Sequence, residues 1–204
     1  SRYHKAGADG IYVFNWHADR DSRRKLLSQI GCAEALRGTD KIYAATHRFI
    51  QKEGPWRGAY RIDRILGEVP VPLKRTLTGE MPTIILDIAD DVAADRAVHL
   101  ELRVRLDEWV AGDRVRLKWD GKEREAPEVR YCVMENTHPP GGAFQPPPGL
   151  RRFSDVGSAV WLCSELDPSE VSIGPHRVGV GLLERHPQLA CDLVLTDVEL
   201  VISY

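Results

Sequence analysis

The side chains best equipped for chemistry in this sequence are scattered along it. Asp87, Asp90, Asp91 and Asp95 set carboxylates around one turn. Hard oxygen ligands of this kind suit calcium as a structural ion, but their spacing fits no calcium loop. A solvated turn is the simpler reading. The cysteines Cys32, Cys132, Cys163 and Cys191 contain no C-x-x-C pair, so they carry neither a zinc nor a redox signature. Three or all four read as buried free thiols acting as small hydrophobes. A Cys163–Cys191 bridge between neighbouring strands is the alternative. The sequence has no G-x-S-x-G elbow, P-loop, G-x-G-x-x-G or H-E-x-x-H, and no catalytic residue is assigned. The tryptophans are more informative. Trp109, beside the turn Val110-Ala111-Gly112, is a candidate exposed platform for a sugar ring. Trp119, in phase with Val115 and Leu117, belongs to a core, and Trp56 lies in a linker. An exposed aromatic pair favours sugar binding, whereas buried tryptophans favour a structural role.

Composition narrows the classes of partner. The 204 residues carry 28 Lys+Arg against 30 Asp+Glu, a net charge of −2. That balance excludes a dedicated nucleic-acid binder, whose affinity rests on a basic field. At 43% hydrophobic and 28% charged residues, the chain is globular rather than disordered. A chain this long buries about 70% of its unfolded surface and needs no metal or disulfide staple. No apolar run approaches the roughly 20 residues of a membrane helix, so no membrane span is expected. The opening Ser1-Arg2-Tyr3-His4-Lys5 is polar and does not read as a signal peptide.

Two different periodicities must position these groups. Near the start, Ile11-Tyr12-Val13-Phe14 is an unbroken apolar run that suits a strand buried on both faces. A helix follows over 23–30, with Leu26, Leu27 and Ile30 on one face, Asp21 or Ser22 as N-cap and Gly31 as C-cap. Ala33–Arg37 forms a second short helix, stopped by Gly38. From about Ala59 the period becomes two. Strands are predicted at 83–88, 98–106, 115–119, 129–134, 159–162, 177–183 and 193–203, with Asp120-Gly121 as a hairpin turn. In the last of these, Val194, Thr196, Val198, Leu200 and Ile202 share one face, and Leu193, Leu195 and Val201 the other. Eight or nine strands with one polar face each predict a mainly β fold, an antiparallel jelly-roll-type sandwich with a short N-terminal β-α appendage. The Pro/Gly-rich stretch 136–157 breaks the regular spacing as a long surface loop. Arg61, Arg64, Lys74 and Arg75, interspersed with Asp63 and Glu68, read as a solvated strand face.

Here the residues reach a resemblance. Lys5-Ala6-Gly7-Ala8-Asp9-Gly10-Ile11-Tyr12-Val13-Phe14-Asn15-Trp16 resembles the last strand of a (β/α)₈ barrel from bacterial glycoside-hydrolase-like proteins. The stretch from Ile30-Gly31 to Ile42-Tyr43 is similar to the segment that closes such barrels. The remainder, notably Ile173-Gly174-Pro175-His176-Arg177 and Leu195-Thr196-Asp197-Val198, resembles the galactose-binding-like sandwiches that follow them. Family modules carry Gly-x-Asn where this chain has Gly174-Pro175-His176. The resemblance divides the chain into a barrel-terminal segment and linker, 1–50, and a sandwich, 51–204.

It also implies a function, the non-catalytic C-terminal part of a carbohydrate-active hydrolase with the sandwich as accessory or carbohydrate-binding module. The alternative is a structural or protein-interaction sandwich without sugar affinity. Barrel glycosidases use two carboxylates at the ends of strands four and seven. If the present strand is the eighth, both lie upstream of residue 1. By the same resemblance, Trp16 takes the position of the aromatic platform beneath a sugar, flanked by Asn15 and His17. The alternative places Trp16 against a neighbouring helix. A barrel strand without its sisters leaves an open apolar edge, so a homodimer through the N-terminal segment is a further expectation.

Overall fold

A computed structural model of the chain describes residues 2–9, 11, 20–45, 68–74, 81–125, 127–132, 158–189 and 191–204. They form a mainly β architecture with three short helices and ten strands. Helix α1 spans Arg2–Lys5, α2 Arg20–Ile30 and α3 Ala33–Leu36. The strands are β1 Lys41–Ala44, β2 Val71–Leu73, β3 Thr83–Ile88, β4 His99–Trp109, β5 Arg114–Trp119, β6 Lys122–Arg124, β7 Glu128–Tyr131, β8 Ser158–Glu165, β9 Gly174–Glu184 and β10 Leu193–Ser203. A 3-10 turn, Pro168–Glu170, precedes β9. Among the described residues, no helix is long and apolar enough to cross a membrane.

The strands build two antiparallel sheets. The larger runs β1-β10-β4-β8-β7, with β2 also paired to β10, and the smaller runs β3-β9-β5-β6. One hydrophobic core joins them, with Leu102, Val104 and Leu106 from β4, Leu200 and Ile202 from β10, Leu86 and Ile88 from β3, and Val178 and Val180 from β9. Alternation along each strand creates this core, because every second side chain faces inward. The hairpin between β5 and β6 turns on Asp120 and Gly121, at φ 46° and 83°. Two consecutive positive φ values match the twist of the flanking strands, which is why Asp-Gly is favoured there.

Strand β10 departs from strict alternation. A β-bulge between Leu195 and Asp197 puts two residues opposite one on β4. The phase therefore changes midway: Leu193 and Leu195 are buried together with Val198, Leu200 and Ile202. Sequence periodicity assigned the first pair to the opposite face from the last three, and the bulge corrects it.

The N-terminal region is tied to the sandwich at several points. Helix α1 lies at the C-terminus of α2, where His4 Nε2 is 2.7 Å from the Ile30 carbonyl. This satisfies one carbonyl that the helix end leaves open. Lys5 donates to the Ile88 carbonyl, and Arg37 pairs with Asp95 at 2.9 Å. Helix α2 begins at Arg20, earlier than the periodicity suggests, and Leu26 and Leu27 stay exposed. Strand β1, which overlaps the end of the stretch read as barrel-closing, pairs antiparallel with β10 and buries Tyr43, and Ala45 just after it is buried as well. Ile11 is in no strand, and Tyr12–Phe14 lie outside the described residues, as does the loop 136–157.

Candidate functional site

The chain crosses from the small sheet to the large one between β6 and β7, and a cleft of about 680 Å³ opens at that crossing. Trp109, Val115, Val129, Leu162 and Leu183 give it an apolar floor, and Arg114, Arg116 and Arg124 stand at its rim. Val129 belongs by alternation to the inner face, yet it is 39% exposed. Strand β6 is only three residues long and does not cover it.

Each rim guanidinium has a carboxylate within 4.0 Å, and Arg124 is hydrogen-bonded to its own. Arg124 Nη1 donates to Glu170 at 2.9 Å and Nη2 to the Glu165 carbonyl at 2.7 Å, pinning β6 to the end of β8. Arg116 Nε lies 3.3 Å from Glu123 and Arg114 Nη1 3.8 Å from Glu184. Beneath the rim, Arg185 pairs with Asp113, their side chains 1% and 0% exposed. Arg185 also donates to the carbonyls of Glu108 and Cys191, so its charge is fully engaged. Such an arrangement can hold a polyhydroxylated ligand through fixed donors and acceptors. The local charges largely cancel, which offers little to a strongly charged one.

Trp109 is 9% exposed, so it closes the floor of the cleft from within the core instead of standing out as a platform. The bulge on β4 opposite Ser158 and the left-handed Glu108, φ 70°, turn it inward. Asn15, Trp16, His17 and Trp56 lie outside the described residues. Trp119 is in the core, as its phase predicts, with its indole N–H donating to the Glu170 carbonyl at 3.0 Å.

The acidic turn is built from tethers. Asp90 is buried and accepts from Lys41 at 3.0 Å and from the Tyr43 hydroxyl. Asp91 accepts from the Ala94 N–H, Asp95 pairs with Arg37, and Asp87 lies 3.9 Å from Lys5. Among the described residues, no group of three or more His, Cys, Asp or Glu is arranged to hold a metal ion.

All four cysteines are free thiols, and only Cys163 is buried. Cys32 and Cys191 are exposed, which corrects the expectation of mostly buried thiols; both sit in connections, where no neighbouring strand covers them. Burial pushes the Cys163 and Cys132 thiols up from their ordinary values. Glu68, read as part of a solvated face, instead accepts from the Ile85 N–H of β3 at 3.0 Å.

Sequence reasoning missed two sites of organised polarity. His176 stacks on Trp119 with ring centroids 4.7 Å apart. Its Nδ1 lies 2.6 Å from the Asp120 carboxylate, and its Nε2 lies 2.8 Å from the Ser172 carbonyl and 3.2 Å from the Ser172 N–H. The pair resembles a catalytic relay in outline. Its far nitrogen faces backbone, however, so it acts as a strut between the β5–β6 turn and β9. The second is a charge lattice on the outer face of the large sheet. There Glu101, nearly buried, is gripped by Arg103 and by Arg130 at 2.8 Å. Burial alone would raise its pKa, but the two guanidiniums outweigh it and hold the carboxyl below the usual carboxylate range. Alternation flags both positions as polar without revealing the partners that come from other elements, Asp120 for His176 and Arg130 for Glu101. The chain matches no protein-family model and no curated protein.

Proposed function

We propose that this chain is a non-catalytic accessory sandwich of jelly-roll type that binds carbohydrate, belonging to the C-terminal part of a carbohydrate-active hydrolase. The strand order supports the topology. With β2 and β7 set aside, the chain runs β1, β3, β4, β5, β6, β8, β9, β10 and changes sheet at every step except the β5–β6 hairpin. The observation that carries the functional reading is the polar rim around a partly open apolar floor, where Val129 is 39% exposed and Arg124 is held in a pair by Glu170. Charges neutralised in place keep directional hydrogen bonds for hydroxyl groups. Labelled full-length chain on a glycan array tests the reading, with binding to a group of related neutral glycans as the expected result. An array with no signal above background contradicts it.

A second reading, a purely structural or protein-interaction sandwich, draws support from the burial of Trp109 and Trp119 and from Tyr131, 61% exposed on the edge strand β7. Leu26 and Leu27 on α2 are the side chains through which a second copy would associate. Retention of a protein partner by a chain that ignores every glycan would favour this reading.

A further inference from the structure

We propose that the outer face of the large sheet is a binding site for a neutral sugar ring, with Trp161 as the stacking platform between Arg105 and Arg130. The proposal rests on the carbohydrate reading and specifies where the ligand sits and what it is. Val160 and Leu162, 0% and 2% exposed, point into the core. Trp161 between them therefore projects to the opposite face. In register it lies beside Arg105 of β4 and Arg130 of β7, and Arg105 in turn lies beside Asp197 of β10. The row across the sheet is thus Asp197, Arg105, Trp161, Arg130. Trp161 is only half-buried. Its indole lies on the polar face of an inner strand, partly covered by its neighbours, and keeps part of its surface toward solvent.

The neighbours decide the class of ligand. Arg105 Nε lies 3.2 Å from Asp107 and Nη1 3.7 Å from Asp197. Arg130 reaches Glu101 at 2.8 Å and Glu128 at 2.6 Å. The guanidinium planes on both sides of the ring are thereby fixed and their charge offset. An anion would compete with carboxylates already seated, and a cation would have to displace an arginine. A neutral pyranose needs neither. Its C–H face packs on the indole, and its hydroxyls take the remaining N–H donors and carboxylate lone pairs. Because all these groups stand on paired strands, little ordering is needed on binding.

Affinity electrophoresis of the full chain tests this, in gels containing barley β-glucan, xyloglucan, galactomannan or, as an anionic control, polygalacturonate. The expected result is retardation by at least one neutral polysaccharide, weakened tenfold or more by Trp161→Ala and largely kept by Trp161→Phe. Arg130→Ala, on the edge strand, provides an independent arm and is expected to weaken retardation several-fold. Melting temperatures within a few degrees of the parent verify the fold of each variant. Undiminished retardation of folded Trp161→Ala overturns the placement while leaving carbohydrate binding intact. If Trp161→Ala does not fold, undiminished retardation of Arg130→Ala overturns it. Retardation by polygalacturonate alone overturns the neutral class. No retardation of the parent by any neutral polysaccharide overturns both this site and the reading beneath it.

Discussion

At the scale of single residues, buried charge in this protein is spent on holding loops together. Arg185 and Asp113 join the β4–β5 connection to the β9–β10 connection with almost no solvent contact. Removing one partner of such a pair strands the other in a medium that solvates it poorly, at a cost of about 3–5 kcal/mol. Arg185→Met is therefore expected to lower stability by that amount in urea titrations, while exposed Arg114→Met changes it by less than about 1 kcal/mol. Glu101 adds a pH dependence of known sign. Its pKa is depressed in the folded state by Arg103 and Arg130. The stability it contributes is present above the unfolded-state pKa and is lost as pH falls through the lower folded value. Urea midpoints measured between neutral and strongly acid pH should fall on the acid side. Glu101→Gln should flatten that limb, and an identical acid limb in the variant would contradict the pairing.

At the scale of elements, the bulge in β10 makes a prediction that can be read by deletion. Thr196 is the extra residue between Leu195 and Asp197, and its hydroxyl reaches the Arg105 carbonyl at only 3.4 Å. Deleting it restores plain alternation and keeps Leu193, Leu195, Val198, Leu200 and Ile202 on one face. The cost should be that of one weak hydrogen bond, about 1 kcal/mol. Inserting an alanine after Val198, beyond the bulge, instead shifts Leu200 and Ile202 to the outer face and should abolish the cooperative unfolding transition. Circular dichroism melts of the two variants check this.

The same element explains what periodicity could reveal. The long strands, Thr83–Ile88, His99–Trp109 and Leu193–Ser203, announce themselves because half of each faces the core. Strands β1, β2 and β6 are too short for a period to register, and Pro72 disguises β2. Nor does alternation disclose a bulge, since the extra residue only changes phase once its partner strand is known. The inward turn of Trp109 and the outward row through Trp161 were hidden for that reason. Each depends on which residue of another strand stands opposite, and no local pattern encodes that.

At the scale of the whole molecule, the segment before residue 50 does more than precede the sandwich. Tyr43 and Lys41 of β1 are the groups that engage buried Asp90, and Ala45 lies in the core. A chain starting at Thr39 retains these contacts and should unfold cooperatively. A chain starting at Gln51 loses a sheet strand and leaves Asp90 without those two partners, a deficit of about 3–5 kcal/mol. Differential scanning calorimetry of the two truncations distinguishes these outcomes, and equal melting temperatures would contradict the role assigned to β1.

Carbohydrate binding without hydrolysis can be followed in one sample carrying two readouts. Full-length chain titrated calorimetrically with soluble neutral polysaccharides, followed by a reducing-end assay on the same mixture, measures affinity and turnover together. Saturable heat with at least one polysaccharide and no new reducing ends are expected. Reducing ends released in proportion to protein, or no heat with any polysaccharide, would contradict that expectation.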